Sequence, residues 1–385
     1  MENLEGGLEM KIKIIALSLI LSLGTMCFSA CGTEKNIQKE DFLYEMYVNT
    51  SGAMQYVKIF SLEKDNINYS QKDLREDKNF KEILHSIGDA KGDIVYGTVY
   101  RKSRQEGLEN KVLIFKNGSL DKKLRLNGHG PSNIISDVEK DLAYVSFVLQ
   151  PASYNPQGRP YKILKAGKEY KDFALKGFCE AYAIGPKYIY VSVSAVHLGY
   201  KETPDKYLAK IDRETQEVTI INEEIDLAGS MAYNPINKKI YAITYTGGNE
   251  DQLGVSKYDL YIYRYDEDGN LEEKSILDSP HLNDIHISDD GSAYVTAGNH
   301  MYLDDPNNYV AKMDLETMKI IKKIDLPKTP CVMTQKDNYL FICDRNGDAV
   351  SIVDTNTFEL IGNISNLTNG RLAIDGVVVK KNPNL

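Results

Sequence analysis

Glu180 and Asp284 open two short alternating runs, Glu180-Ala181-Tyr182-Ala183 and Asp284-Ile285-His286-Ile287. Two carboxylates facing one poorly hydrated space hold their protons more tightly than free ones, which suits them to acid or base work or to a cation. Counting back from an aromatic that follows each such run gives an upper position at His85, Asn133, Cys179, Ser230, Asn283 and Pro330. The next position down is Ser86, Ile134, Glu180, Met231, Asp284 and Cys331. The loop Asn127-Gly128-His129-Gly130-Pro131-Ser132 holds a His between two Gly, whose backbone freedom can thrust the imidazole outward, and Arg371 joins from the C-terminus. The ligand-binding candidates are therefore His85, His129, Asn133, Glu180, Asn283, Asp284 and Arg371. The same residues serve equally well as the solvated lining of a wet channel. No catalytic residue is assigned, because the chain has no Gly-x-Ser-x-Gly elbow, no Gly-rich phosphate loop and no Cys-x-x-Cys-His. Nor do Cys and His recur at metal spacing, so no metal or cofactor is expected.

These positions need a repeated scaffold. Tyr309 to Thr317 with Ile320 to Ile324 is echoed by Val350 to Thr357 with Leu360 to Ile364, each preceded by a run such as Ala293-Tyr294-Val295-Thr296 or Tyr339-Leu340-Phe341-Ile342. Short alternating runs separated by turn residues are half-buried antiparallel strands, and a unit this small must stack on copies of itself. Turns between the outer strands align at Ser61, Lys116, Lys165, Asp212, Asp266, Asp314 and Asp354, a period of roughly 40 to 55 residues that suits four-stranded propeller blades. An aromatic marks the second strand at Tyr96, Tyr144, Tyr190, Tyr241, Tyr294 and Phe341, with Tyr44 in the first unit. The expected fold is all-β, a seven-bladed β-propeller spanning 41–385, closed by a C-terminal inner strand that joins the first blade. Arg371 to Ile374 is the expected closing strand, with Val377-Val378-Val379 as a rival; a β-sandwich followed by a smaller propeller is the competing architecture.

The Asp-x-x-Thr turns at Asp212 to Thr215, Asp314 to Thr317 and Asp354 to Thr357, with Tyr294-Val295-Thr296, resemble the YVTN class of bacterial seven-bladed propellers, related in shape to quinoprotein amine dehydrogenase beta chains. The resemblance covers Lys206 to Ile364 well and weakens before Tyr144. It implies that the turn residues satisfy backbone donors between the third and fourth strands. It also brings in sugar lactonases as seven-bladed relatives, which open an ester ring with His, Arg and carboxylates at the channel mouth; His85, His129, Glu180, Asp284 and Arg371 supply those types.

Lys11 and Lys13, the apolar run Ile14 to Leu23 and the small residues before Cys31 form an export signal too short to span a bilayer. Phe28-Ser29-Ala30-Cys31-Gly32 resembles the lipobox of bacterial lipoproteins, which implies a diacylated (palmitate-bearing) Cys31 as the first mature residue; a plain secretory peptide is the alternative. Glu2, Glu5 and Glu9 sit badly ahead of a basic region, so translation is expected to begin at Met10. The expected organisation is 1–31 signal peptide, 32–40 tether and 41–385 propeller, held on the extracytoplasmic face of the membrane. Of five cysteines, Cys179, Cys331 and Cys343 belong to the folded part and read as buried strand residues, at least one of them a free thiol. A formal charge of −9, with no clustered basic residues, excludes a nucleic-acid footprint. The insertions at Thr246 to Asp251 and Gly298 to Asn308 are rich in oxygen ligands but lack the spaced carboxylates of a Ca2+ loop. Without a coherent catalytic set, the expected role is a recognition module whose upper face binds an envelope protein, a glycan or a small molecule; the alternative is a hydrolase of lactone type.

Overall fold

A computed structural model describes residues 42–385 with the exception of 51–52, 77–79, 81, 102–107, 127–129, 148–158, 196–203, 224, 227, 246–259, 277–281, 299–307, 346 and 369–373. Cys31, His129 and Arg371 thus lie outside the described residues, as do most of the insertions at 246–251 and 298–308.

Seven antiparallel sheets of four strands follow one another. Blades 2 to 7 are built from consecutive strands and begin with the inner strands Ile83–Asp89, Pro131–Asp137, Phe178–Ile184, Ala228–Asn234, Leu282–Ile287 and Pro330–Lys336. Blade 1 takes Tyr44–Thr50, Ala53–Glu63 and Asn66–Asp73 from the N-terminus and its inner strand, Gly376–Lys381, from the C-terminus. Both chain ends are therefore held in one sheet, which closes the ring and leaves only the short edges of each blade. The Val377-Val378-Val379 run does the closing, pairing Val378 with Tyr47 and Val379 with Met46, rather than Arg371 to Ile374. Val-rich sequence suits an inner strand, which is covered on both faces. The sandwich alternative falls with this topology.

Seven apolar clusters hold the ring, and each one lies between two neighbouring blades: Tyr241 and Ile262 of blade 5 meet Ile285 and Val295 of blade 6, and Val57 and Met46 of blade 1 meet Phe341 and Ile352 of blade 7. A blade has no core of its own, so stability comes from stacking, as a repeat architecture requires.

The aromatic markers occupy the second strands and are fully buried from Tyr96 to Phe341. In blade 1 the equivalent is Tyr47, not Tyr44. Tyr47 accepts a hydrogen bond from the backbone N–H of Gly118 in blade 2 at 2.9 Å, as Tyr96 does from Gly167 in blade 3 at 2.9 Å. Tyr47 and Tyr96 therefore brace the outer turn of the following blade. The first outer turn follows Glu63 rather than Ser61, because a bulge between Ile59 and Ser61 lengthens the strand.

Candidate functional site

The inner strands of blades 2 to 7 share one irregularity. In each, two residues stand opposite a single residue of the second strand: His85-Ser86 against Thr98, Ser132-Asn133 against Ser146, Glu180-Ala181 against Ser192, Gly229-Ser230 against Ile243, Asn283-Asp284 against Thr296, and Cys331-Val332 against Cys343. A bulge bends the strand and turns an extra side chain out of the sheet. All five described candidates, His85, Asn133, Glu180, Asn283 and Asp284, fall in these pairs. Glu180 and Asp284 are not equivalent, however: Glu180 is the first member of its pair and Asp284 the second. The count back from the aromatic slips because the turn between the first two strands is three residues in blade 4, 185–187, and five in blade 6, 288–292.

The bulge is where neighbouring blades are clamped. Thr98 Oγ1 donates to the Ser132 carbonyl of blade 3 at 2.6 Å, Ser192 Oγ accepts from Ala228 N–H of blade 5 at 3.0 Å, and Thr296 Oγ1 donates to the Cys331 carbonyl of blade 7 at 3.0 Å. Carboxamides do the same work. Asn283 Nδ2 donates to the carbonyls of Gly298 at 3.0 Å and Pro330 at 2.6 Å, and Asn49 Nδ2 to the carbonyl of His85 at 3.2 Å. Asn133 reaches toward the Cys179 carbonyl of blade 4 at 3.5 Å while its own N–H donates to Ser146 Oγ at 3.0 Å.

Asp284 joins three blades. Its Oδ1 accepts from Ser230 Oγ of blade 5 at 2.5 Å and from Ile285 N–H at 3.0 Å, and its Oδ2 accepts from Met333 N–H of blade 7 at 2.8 Å. Burial pushes its pKa up to about 6, against these three donors, which favour the ionised form. His85 lies exposed on the wall of blade 2, its pKa lowered by desolvation and partly restored by Asp375. Glu180 is exposed on blade 4.

A half-open cleft of about 700 Å³ lies at the other end of the disc, between the short turns of blades 6 and 7. Sequence reasoning selected the opposite end and missed it; the polar run Ser288-Asp289-Asp290 was its only local signal. His286 and Gln335 form its inner wall. Gln335 Nε2 donates to the Asp337 carbonyl at 2.9 Å, which aims Oε1 at His286 Nε2, 3.1 Å away, and at the hydroxyl of Ser288. The imidazole therefore donates through Nε2 and keeps its lone pair on Nδ1. Desolvation lowers the His286 pKa, so the ring is neutral at pH 7. Lys312, Lys336, Asp289 and Asn356 complete a lining that is mainly polar. Among the described residues no three His, Cys, Asp or Glu side chains converge as a metal site would.

No family model matches this chain, and no curated protein matches it. Solved structures do share its fold. AztD from Citrobacter koseri is 11% identical with a TM-score of 0.52, over 89% of this chain and 98% of that one. The dihydro-heme d1 dehydrogenase NirN, in complex with DHE, is 13% identical with a TM-score of 0.52, over 91% and 78%. Hydrazine synthase of Kuenenia stuttgartiensis is 16% identical with a TM-score of 0.51, over 79% and 89%. At such identities the likeness concerns the propeller alone.

Proposed function

We propose that this protein is a lipid-anchored, extracytoplasmic propeller of the YVTN type that works as a recognition body, binding an envelope protein, a glycan or a small molecule at one end of its disc. The observation that carries the reading is the unequal length of the connections at the two ends. Between the second and third strands of blades 2 to 6 run 102–107, 148–158, 195–205, 246–259 and 298–308, six to fourteen residues each. The turns at the other end, between the third and fourth strands, take two to five residues. Binding surfaces are built from variable connections set on a rigid scaffold. The channel wall supports the same choice over a lactone hydrolase: Asp284 and Asn283 already spend their polar atoms on clamping blades, and an acid held by three donors is poorly free to move a proton.

Two measurements test this. Labelled palmitate should enter the native chain and not Cys31→Ser, which should leave the membrane fraction. Immobilised protein should retain one envelope component or one glycan of a panel, and replacing 247–258 by a short Asn-Gly turn should abolish retention while the melting temperature holds. Turnover on a lactone panel that Glu180→Gln or His129→Ala removes, with folding intact, would establish the hydrolase instead.

A further inference from the structure

We propose that Cys331 and Cys343 are joined by a disulfide in the exported protein, formed as blade 7 folds and then sealed inside it. This rests on the export reading above for its oxidising surroundings, but the pairing itself rests on geometry. Pro330 pairs with Asp344 and Met333 with Ile342, which leaves Cys331 and Val332 facing Cys343 across the bulge. Val332 is turned outward and is 40% exposed, whereas Cys331 is buried and points at its cross-strand neighbour, with Sγ 3.4 Å from the Cys343 carbonyl. Both thiols are reduced and buried in the same apolar cluster between blades 7 and 1. Facing positions on paired strands bring β-carbons to about 4.5–5.5 Å, so an approach of about 1 Å brings them to the roughly 3.8 Å of a disulfide. Cys179, in blade 4, instead directs its thiol at the Ala181 carbonyl, 3.4 Å away, and is the odd thiol left over.

The location explains why a covalent link would serve here. In blades 2, 3, 4 and 6 the residue opposite the bulge is Thr98, Ser146, Ser192 or Thr296. Three of these hydroxyls bond to the backbone of the next blade. Cys343 holds that position in blade 7, but the next inner strand is the C-terminal Gly376–Lys381, which pairs with blade 1 without a bulge. Among the described residues the hydroxyl clamp has no counterpart at this junction. Cys331 meets the closing segment with its thiol, 3.4 Å from the Ile374 carbonyl.

The chemistry is thiol–disulfide exchange with an oxidised dithiol carrier or glutathione disulfide. One cysteine thiolate attacks the carrier disulfide, forming a mixed disulfide and expelling one carrier thiolate. The second cysteine thiolate then attacks the protein sulfur of that mixed disulfide and expels the other. The two cysteine protons end on the two carrier thiolates, and the two electrons leave with them. Burial raises the Cys343 pKa well above that of a free thiol, and the thiolate is the nucleophile, so the folded reduced pair exchanges slowly. The bond must therefore be made before blade 7 closes.

The test uses the full chain, unfolded, reduced, refolded with glutathione disulfide, alkylated in denaturant and digested with trypsin. The expected result is peptide 329–336 linked to peptide 337–345, with Cys179 alkylated. Recovery of both peptides alkylated, or a link involving Cys179, would overturn the pairing wherever the protein resides. The same digest on acid-quenched cells expressing the chain with and without residues 1–31 should show the link in the first only. If refolding forms the link but neither cellular sample carries it, the native bond falls, while the export reading is judged separately by whether the chain with residues 1–31 leaves the cytoplasmic fraction.

Discussion

Blades 1 to 3 and blades 4 to 7 make the same outer turn by different chemistry. In the first group the turn is two residues long and relies on backbone conformations with positive φ: Asn117 at 47° and Gly118 at 67°, Ala166 at 49° and Gly167 at 71°. These are the angles of the two-residue hairpin whose twist matches that of its strands. The glycine N–H then docks on the tyrosine hydroxyl of the preceding blade. In the second group the turn is four or five residues long, and an Asp carboxylate holds it. Asp314 Oδ1 accepts from Glu316 N–H at 2.9 Å and Thr317 N–H at 2.8 Å, Asp354 Oδ1 from Asn356 at 2.7 Å and Thr357 at 3.1 Å, and Asp212 and Asp266 do likewise. In blade 7 the preceding blade docks by its ring, Tyr294 stacking on Phe358 at 6.0 Å. One fold position is thus met by a two-residue turn in one half, carrying Gly in blades 2 and 3 and Asp65 in blade 1, and by a longer turn with side-chain capping in the other. Only the second leaves a motif that pattern matching can see.

The changeover falls between blades 3 and 4. There Arg213, in the first capped turn, is buried against Asp137 with Nη2–Oδ1 at 2.5 Å and Nε–Oδ2 at 2.7 Å, and it also donates to the carbonyls of Gly185 and Pro186 and to Glu139. Removing one partner of a buried pair leaves the other charge uncompensated. Arg213→Met should therefore have the largest effect, a loss of about 4 kcal/mol in denaturant unfolding. A loss under 1 kcal/mol would mean that the two halves meet through apolar packing alone.

Gly118→Ala should cost about 3 kcal/mol, because a β-carbon there combines a left-handed backbone with an approach of 2.3 Å to the Tyr56 ring. Replacing Met318 or Phe358, which already adopt φ of 49° in the capped turns, with Ala should cost no more than their lost apolar contacts. A loss under about 1 kcal/mol at Gly118 would erase the distinction between the halves.

Asp284 sharpens the comparison from the channel side, where blades 5 to 7 are tied by a carboxylate. Its folded pKa of about 6 lies above the unfolded value of 3.8, so the native state binds the extra proton. Its contribution to stability is full below pH 4 and is lost as pH rises through 6. Asp284→Asn does not titrate. Its stability relative to the native chain should rise by about 2–3 kcal/mol between pH 4 and pH 8, read from melting curves. A flat difference would mean that the three donors outweigh burial.

The smallest effects belong to the caps. Backbone N–H groups hold the pKa of the Asp212 and Asp314 carboxylates below the ordinary value, so this stabilisation is present above pH 4 and fades as pH falls through the lowered folded value. Asp314→Ala should lower the melting temperature slightly at pH 7, and the gap should narrow as pH falls below the ordinary carboxylate range.

The blade count, the second-strand aromatics and the Asp turns were legible because each is written within about ten consecutive residues, where alternation and turn chemistry act locally. The five described candidate residues were found in the right strands but in the wrong alignment. A bulge and a change in the length of a neighbouring turn leave no mark on local hydrophobic pattern, which is why Glu180 was matched with Asp284. In blade 1 local pattern favoured Tyr44 over Tyr47, although only Tyr47 meets a glycine 71 residues away.

From sequence alone come a closed seven-bladed ring of short strands, its acidic character and the turns that punctuate it, since period, charge and turn residues are properties of neighbouring positions. The tertiary structure decided which apolar run closes the ring and that Asn283 and Asp284 clamp blades. Those outcomes depend on register between strands and on contacts between blades, which no local stretch of residues encodes.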